Sequence, residues 1–351
     1  MKNQHNSKKT IKSLETNLKK SIFGQDAAIE RLVDYITISY AGLNDKEKPI
    51  GSFLFTGPTG VGKTELAKEL AKQLGMNFER FDMSEYATER SSDNFIGGAA
   101  GLVGYENGGL LTNAIIANPH SVVLFDEIEK AHKQVLNKLL QVMDYGVLTS
   151  SKGEKAYFQD TIIIFTSNLG AIKTTKRTVG FGSSTHVETE NDMDEFLSPE
   201  FKGRINQVIE FSLINDEISK LIIKKSFNKI NEILKGKKIT VEPTQNLIDR
   251  LAEKRDARLG ARNLNNIITQ SIKTIVAKEL ILNKITLSIK FLFDWDNEKN
   301  DYTYVIRKQE TNLNLEYLNY YENCQEAYAY ARVHHGVVVT RSPCGKGFIV
   351  K

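Results

Sequence analysis

Residues Gly57-Pro58-Thr59-Gly60-Val61-Gly62-Lys63-Thr64 fit the pattern G-x-x-x-x-G-K-[ST] in full. Glycines at this spacing let backbone N–H groups turn inward around phosphate oxygens. In such a cradle Pro58, Thr59, Gly60, Val61 and Gly62 supply main chain, and the Lys63 ammonium reaches the β- and γ-phosphates. The Thr64 hydroxyl holds Mg2+. A helix starting at Thr64 adds its positive N-terminal end. Further along, Val122-Val123-Leu124-Phe125 runs straight into Asp126-Glu127. Acids at the tip of an apolar strand are costly unless they meet a cation or polarise a reactant. Asp126 suits the Mg2+ shell, and Glu127 suits a base that orients and deprotonates an attacking water. A small-molecule kinase would need a base for a substrate hydroxyl and a lid; the Asp-Glu pair favours hydrolysis of a nucleoside triphosphate, ATP.

These groups must be held by a sheet. Ser52–Thr56 is a short apolar run bounded by glycines, suited to a buried parallel strand. Thr64–Leu74 follows as a helix. Phe78–Phe81, Ser121–Phe125 and the β-branched Thr161–Thr166 read as further strands, with Val208–Phe211 as one more. Strands alternating with helices predict an α/β domain, a parallel sheet covered on both faces. Ahead of it, Ile11, Leu14 and Leu18 recur at helical spacing, as do Ile29, Leu32, Val33 and Ile36. Leu169–Leu197 is polar and lacks a long period, so it reads as a long loop.

From Asp216 the pattern turns helical, up to Gly236. Thr244 is placed to cap a helix over Leu247, Ile248 and Leu251. Ala261–Leu282 is a further helix, and 287–306 reads as a strand pair. In the last forty or so residues, Ala327–Val333 suggests a short helix, and Gly336–Thr340 with Gly347–Val350 a hairpin. The expected organisation is 1–20 a tail and helix, 21–214 a large ATPase domain, 215–308 a small, mainly helical domain, and 309–351 an appendage.

The chain has 351 residues, 40% of them hydrophobic and 26% charged, the balance of a globular protein with a real core. Lys+Arg 47 against Asp+Glu 43 gives a net charge of +4, too weak to argue for nucleic acid or an anionic membrane as a main partner. No apolar run approaches the ~18 residues of a membrane span, and the polar start does not read as a signal peptide, so a cytoplasmic location is expected. Cys324 and Cys344 are too few for a disulfide framework or a zinc module.

Five segments together resemble the Clp/Hsp100 family of AAA+ unfoldases, most closely the second ATPase module of ClpA-type members. They are the P-loop, Asp126-Glu127-Ile128-Glu129-Lys130-Ala131-His132, Leu140-Gln141-Val142-Met143-Asp144, Phe23-Gly24-Gln25-Asp26 and Arg80-Phe81-Asp82-Met83-Ser84-Glu85-Tyr86. The similarity runs from about Lys9 to about Ile306. It implies that Ile22 and Phe23 contact adenine and that Asn168 is sensor 1, bonding the γ-phosphate or the lytic water. It implies that Arg204 is an arginine finger lent to a neighbouring subunit and that Arg262 is sensor 2. Around the finger the family usually has Asn before and Ile-Asp after; here Gly203 precedes and Asn206 follows, so its positioning is expected to be looser. After sensor 2 the family's Pro and two arginines are missing from Asn263-Leu264-Asn265-Asn266.

The resemblance further implies a homohexamer that threads unfolded polypeptide. Gly101, Leu102, Val103 and Gly104 align with the pore loop, with Leu102 where the family usually has Tyr. Val179, Gly180 and Phe181 stand where some members carry a tripeptide that docks in a ClpP-like peptidase. Two alternatives accompany this reading: a stand-alone remodelling chaperone without peptidase, and a subunit that modulates or poisons a host Clp ring.

Overall fold

A computed structural model describes residues 2–97, 108–168, 196–237, 239–254, 260–282, 289–296, 298–299, 301–308, 320–321, 339–341 and 348–350. The chain forms two compact units, Met1–Ile222 with Lys254–Asn266, and Ile223–Glu253 with Ile267–Lys351. The segment Gly101–Gly104 aligned with the pore loop, the tripeptide Val179–Phe181, the stretch Ala327–Val333 expected to be helical and both cysteines lie outside the described residues.

In the first unit, β1 (Gly51–Thr56), β2 (Asn77–Asp82), β3 (Ser121–Asp126), β6 (Ile162–Ser167) and β7 (Gln207–Glu210) form one sheet. Its order is β2-β3-β6-β1-β7, and every pairing is parallel. The α/β parallel sheet expected from the sequence is therefore present. Strands β1, β3 and β6 are buried at every position, which is why they read as continuous apolar runs. Side chains alternate between two cores. Phe53, Phe55, Val122, Leu124, Ile162 and Ile164 face one, with residues of α1 (Lys2–Ser21), α2 (Asp26–Tyr40) and α3 (Lys63–Leu74). Leu54, Val123, Phe125, Ile163 and Phe165 face the other, with α4 (Glu89–Ile96), α5 (Leu110–Ala117) and α6 (Lys133–Tyr145).

A short hairpin, β4 (Val147–Thr149) with β5 (Lys155–Tyr157), follows α6 and was not anticipated. It is anchored at the helix end by Gly146, whose carbonyl accepts from Phe158 N–H at 2.8 Å. Then α7 (Pro199–Lys202) leads into β7. Its N-cap is Ser198, whose hydroxyl accepts from Phe201 N–H.

In the second unit, β8 (Ile239–Pro243), β9 (Ile289–Asp296) and β10 (Asp301–Lys308) form a three-stranded sheet of order β10-β9-β8. The pair β9/β10 is the one expected between 287 and 306. Strand β8, parallel to β9, is an addition to it. In sequence, α8 (Asp216–Leu234) precedes β8, and α9 (Gln245–Glu253) and α10 (Gly260–Leu282) lie between β8 and β9; α8 up to Ile222 and α10 up to Asn266 belong to the first unit. Thr244 caps α9 as expected: its hydroxyl accepts from Leu247 N–H at 3.2 Å. It also donates to Asp294 Oδ1 at 2.5 Å. A second small sheet pairs β13 (Phe348–Val350) with β12 (Val339–Arg341) and β11 (Tyr320–Tyr321), all antiparallel.

Gly146 and Gly75 both end helices in the left-handed conformation, with φ of +60° and +67°. A Cβ on Gly146 would collide with the Glu47 carbonyl oxygen, whereas one on Gly75 would meet nothing within 4 Å. Gly75→Ala should cost about 1 kcal/mol from backbone strain alone. Gly146→Ala should cost roughly 2–4 kcal/mol, because Glu47 must also move. Denaturation midpoints of the two variants, side by side, check this; equal losses would contradict it.

Candidate active site

The P-loop leaves β1 at its carboxyl end, the usual place for ligands on an open parallel sheet. Gly57, Gly60 and Gly62 take φ of +136°, +78° and +113°. A Cβ at Gly57 would lie 2.7 Å from the Phe211 carbonyl oxygen, so no larger residue fits. Lys63 opens α3 and is buried. Its ammonium donates to the carbonyl of Gly57, to that of Pro58 at 3.0 Å and to Asn168 Oδ1 at 3.0 Å. Burial pulls its pKa down to about 8, against the opposing charges of Glu129, Asp126 and Glu127; Arg262 adds to the lowering. Arg262 is thus close enough for its charge to be felt at Lys63.

Two braces hold this loop. The buried Gln25 donates to Val61 O at 3.3 Å and Ser212 O at 2.9 Å, and accepts from Ser212 N–H at 3.0 Å. At the start of α10, Ala261 N–H donates to Gly60 O at 2.9 Å. Gly260 has φ +56°, and a Cβ there would sit 2.8 Å from Gly60 O. Close backbone approach therefore requires glycine at this point. Ile22 is buried in the core with its Cγ2 3.7 Å from where a Cβ on Gly62 would stand. Phe23 is half-buried in the turn that follows α1.

Asp126 ends β3 beside β6, and both its oxygens are engaged. Oδ1 accepts from Thr166 Oγ1 at 2.5 Å. Oδ2 accepts from Arg80 Nε at 3.0 Å and pairs with Arg80 Nη2 at 2.8 Å. The Thr64 hydroxyl is 3.5 Å from the same Oδ2. Glu127 has φ +57°, the only left-handed non-glycine among the described residues. Such strain persists when the surroundings over-determine it and concentrates at functional sites. Here the Glu127 N–H donates to Thr166 Oγ1 at 3.0 Å. One threonine hydroxyl thus fixes both acids: it donates to the first and accepts from the backbone of the second.

Asn168, just past β6, joins the groups. Its Nδ2 donates to Glu127 Oε1 at 3.3 Å, and its Oδ1 accepts from Lys63 and from the Thr59 hydroxyl at 3.3 Å. Its N–H donates to Glu129 Oε1 at 3.1 Å. Lys130 pairs with Glu127 Oε2.

The structure therefore gathers Lys63, Thr64, Asp126, Glu127 and Asn168 at the carboxyl ends of β1, β3 and β6. Arg204 is not part of this cluster. Its Nε donates to Asp144 Oδ1 at 3.0 Å and Oδ2 at 3.3 Å, and its Nη1 to Glu200 O at 3.2 Å. Asn206 clamps the same segment to β1: its Oδ1 accepts from Ser52 N–H at 2.7 Å and its N–H donates to Ser52 O at 2.8 Å. Sequence reasoning gave no role to Thr166, Arg80, Gln25, Glu129 or Asp144, although all five stood within the quoted motifs or beside Asn168.

The residues fit a Mg2+–nucleoside triphosphate. The glycines leave a cradle that side chains would fill. The Lys63 donors rest on main-chain carbonyls and an amide, weaker partners than a phosphate. Thr64 and Asp126 present hard oxygens of the kind Mg2+ takes.

Sheet order, P-loop and strand-tip acids define a P-loop ATPase of the AAA+ class. Residues 48–208 match the family described as AAA domain (Cdc48 subfamily), and residues 214–290 match the C-terminal, D2-small domain, of ClpB protein. A ClpA homolog protein of Fuscovulum blasticum is 43% identical over 279 residues, 79% of this chain and 35% of that protein. The chaperone protein ClpB of Clostridium tetani is 42% identical over 293 residues, 82% of this chain and 34% of that protein. The ATP-dependent Clp protease ATP-binding subunit ClpE of Lactococcus lactis is 40% identical over 272 residues, 76% and 36% of the two chains. The matched region is thus a Clp/Hsp100 AAA+ module, an ATP-hydrolysing domain. The chain spans about a third of the length of these relatives. Among the described residues no helix is long and apolar enough to cross a membrane, and no His/Cys/Asp/Glu group forms a separate metal cluster.

Replacing Thr166 by Val removes the donor to Asp126 and the acceptor for Glu127 N–H while keeping the shape. Losing hydrogen bonds to a buried charge costs about 1.5–3 kcal/mol. ATP turnover of Thr166→Val should fall roughly ten- to hundredfold, and Thr166→Ser should stay near wild type. A Val variant of normal turnover would show that the hydroxyl does not organise the acids.

Proposed function

We propose that the chain is an ATP-dependent protein unfoldase and translocase that works as a ring of identical subunits. One observation carries this reading. The phosphate cradle, the metal-holding acid, the base and the polar sensor converge in one chain, while Arg204 is held elsewhere by Asp144. Arg204, read as the guanidinium that neutralises transition-state charge, would then serve the site of a second copy.

The hydrogen-bonded cluster supports the roles of Lys63, Thr64, Asp126, Glu127 and Asn168, and the family resemblance supplies those of Arg262, Ile22, Phe23 and Leu102. The main chain of Pro58, Thr59, Gly60, Val61 and Gly62 binds phosphate oxygens, and Lys63 exchanges its carbonyl partners for the β- and γ-phosphates. Thr64 and Asp126 hold Mg2+, which when bound spreads the charge of the leaving diphosphate. Glu127 accepts the proton of the attacking water, and Asn168, bonded to Glu127 Oε1, orients that water. Arg262 reads the γ-phosphate from α10. Ile22 and Phe23 flank the adenine. Leu102, in Gly101-Leu102-Val103-Gly104, grips substrate polypeptide with less contact area than an aromatic ring offers.

The working partner is a ClpP-like peptidase, docked through Val179-Gly180-Phe181. The relative named as a Clp protease ATP-binding subunit supports this. A second reading, a remodelling chaperone without peptidase, is supported by the small domain's likeness to that of ClpB and by the relatives named chaperone protein ClpB.

Two measurements test these readings. Glu127→Gln should bind a fluorescent ATP analogue like wild type yet turn over ATP at least a hundredfold more slowly, on the order of the loss of a general base. Full turnover in that variant would remove Glu127 as the base. A tagged, folded substrate should be degraded only when wild-type chain, ATP and ClpP are all present, and Phe181→Asp should stop degradation without stopping ATP turnover. Unfolding of the substrate with no degradation on adding ClpP would select the chaperone.

A further inference from the structure

We infer that Asp144 is a positioning residue for the arginine finger: it fixes Arg204 on its own subunit in the pose offered to the neighbour's nucleotide. The inference rests on the shared-site reading above. That reading names Asp144 only as the group that holds Arg204 away from its own subunit's site; here it is given a part in the neighbour's reaction.

Three features of the pair support it. The first is the hydrogen-bond pattern. Asp144 takes Nε with both oxygens and the Glu200 carbonyl takes Nη1, while Nη2 meets no hydrogen-bond acceptor among the described residues. A guanidinium held at Nε and Nη1 presents Nη2 in a set direction. That is the arrangement a finger needs, since its planar fork must meet a phosphoryl oxygen with little reorganisation.

The second is the rigidity of both supports. Arg204 follows α7, and Phe201 in that helix is buried with its ring 5.2 Å from that of Phe165 on β6. The Arg204 N–H donates to Phe201 O at 3.1 Å, so the backbone below the finger is tied to the core. On the other side, Asp144 stands one residue from the end of α6, next to the buried Val142 and Met143. The helix end is pinned by Gly146 against Glu47 and by the Phe158–Gly146 hydrogen bond.

The third is where the acid stands. A carboxylate near a helix C-terminus faces the negative end of the helix dipole. An ion pair with side chains 39% and 30% exposed adds little to stability. Folding therefore gives weak reason for an acid at 144, whereas aiming Arg204 gives a direct one.

The test uses mixed assemblies of full-length chains. Arg204→Ala chains alone and Glu127→Gln chains alone should each turn over ATP poorly. Mixed, they should regain turnover, because sites on the first meet fingers from the second. Asp144→Ala is then added to one chain type at a time. In the finger donor, alongside Glu127→Gln, it should lower the kcat of the mixture on the order of tenfold with KM unchanged, as expected for a misaimed group. In the chain that already lacks the Arg204 guanidinium, it should cause less than a twofold further loss. Equal losses from the two placements, or none from either, would overturn the inference, and a merely structural role for Asp144 would show as the equal loss. Failure of the parent mixture to regain turnover, or full turnover by Arg204→Ala chains alone, would overturn the shared site itself, and the Asp144 inference with it.

Discussion

Opposite charges have to be kept dry and apart at the tips of three strands, and most of the site follows from how that is done. Lys63 and Asp126 are both buried, at 7% exposure each, where an uncompensated charge is costly. They are not paired with each other. Lys63 leans on two P-loop carbonyls and Asn168, and Asp126 on Thr166, Arg80 and Thr64. Each charge is satisfied by partners that a phosphate or a metal ion can replace or join. Had they formed a direct ion pair, ligand binding would have to break it.

The sheet makes this possible. Parallel strands order β3-β6-β1 so that the P-loop, the acids and Asn168 leave the same edge. Thr166 lies on β6 between the other two, and its one hydroxyl serves both acids. The left-handed turn at Glu127 then swings the second acid out of line with the strand. Outside the cluster, Gln25 and Gly260 act on the cradle from opposite ends of the unit's sequence. The cradle is therefore held by residues far from it in the chain, as well as by its own glycines.

Much of this was legible in the residues themselves. The P-loop could be read because its requirement is local: backbone that approaches a ligand needs glycine at fixed spacing. Asp126-Glu127 could be read because acids rarely follow four apolar residues without a purpose. Arg80 was not legible, because its role depends on register: Asp82 on β2 stands opposite Asp126 on β3, which brings Arg80 within reach of the Asp126 carboxylate. Strand β8 was missed for a similar reason, since its pairing with β9 joins Ile239 to Ile289 across two helices. Asp144 stood in the quoted segment Leu140–Asp144, but its partner Arg204 lies 60 residues further along the chain, and only the fold brings the two together. Asn206, expected to loosen the finger segment, instead bonds β1 through both its N–H and its side-chain oxygen.

If Arg204 serves a neighbour's nucleotide, catalysis needs two copies of the chain. The most direct measurement is ATP turnover per subunit as the chain is diluted, with assembly followed by light scattering in the same samples. Turnover should drop sharply over the concentration range in which assemblies dissociate and recover on reconcentration. A per-subunit rate that stays constant through dissociation, down to monomers, would contradict it.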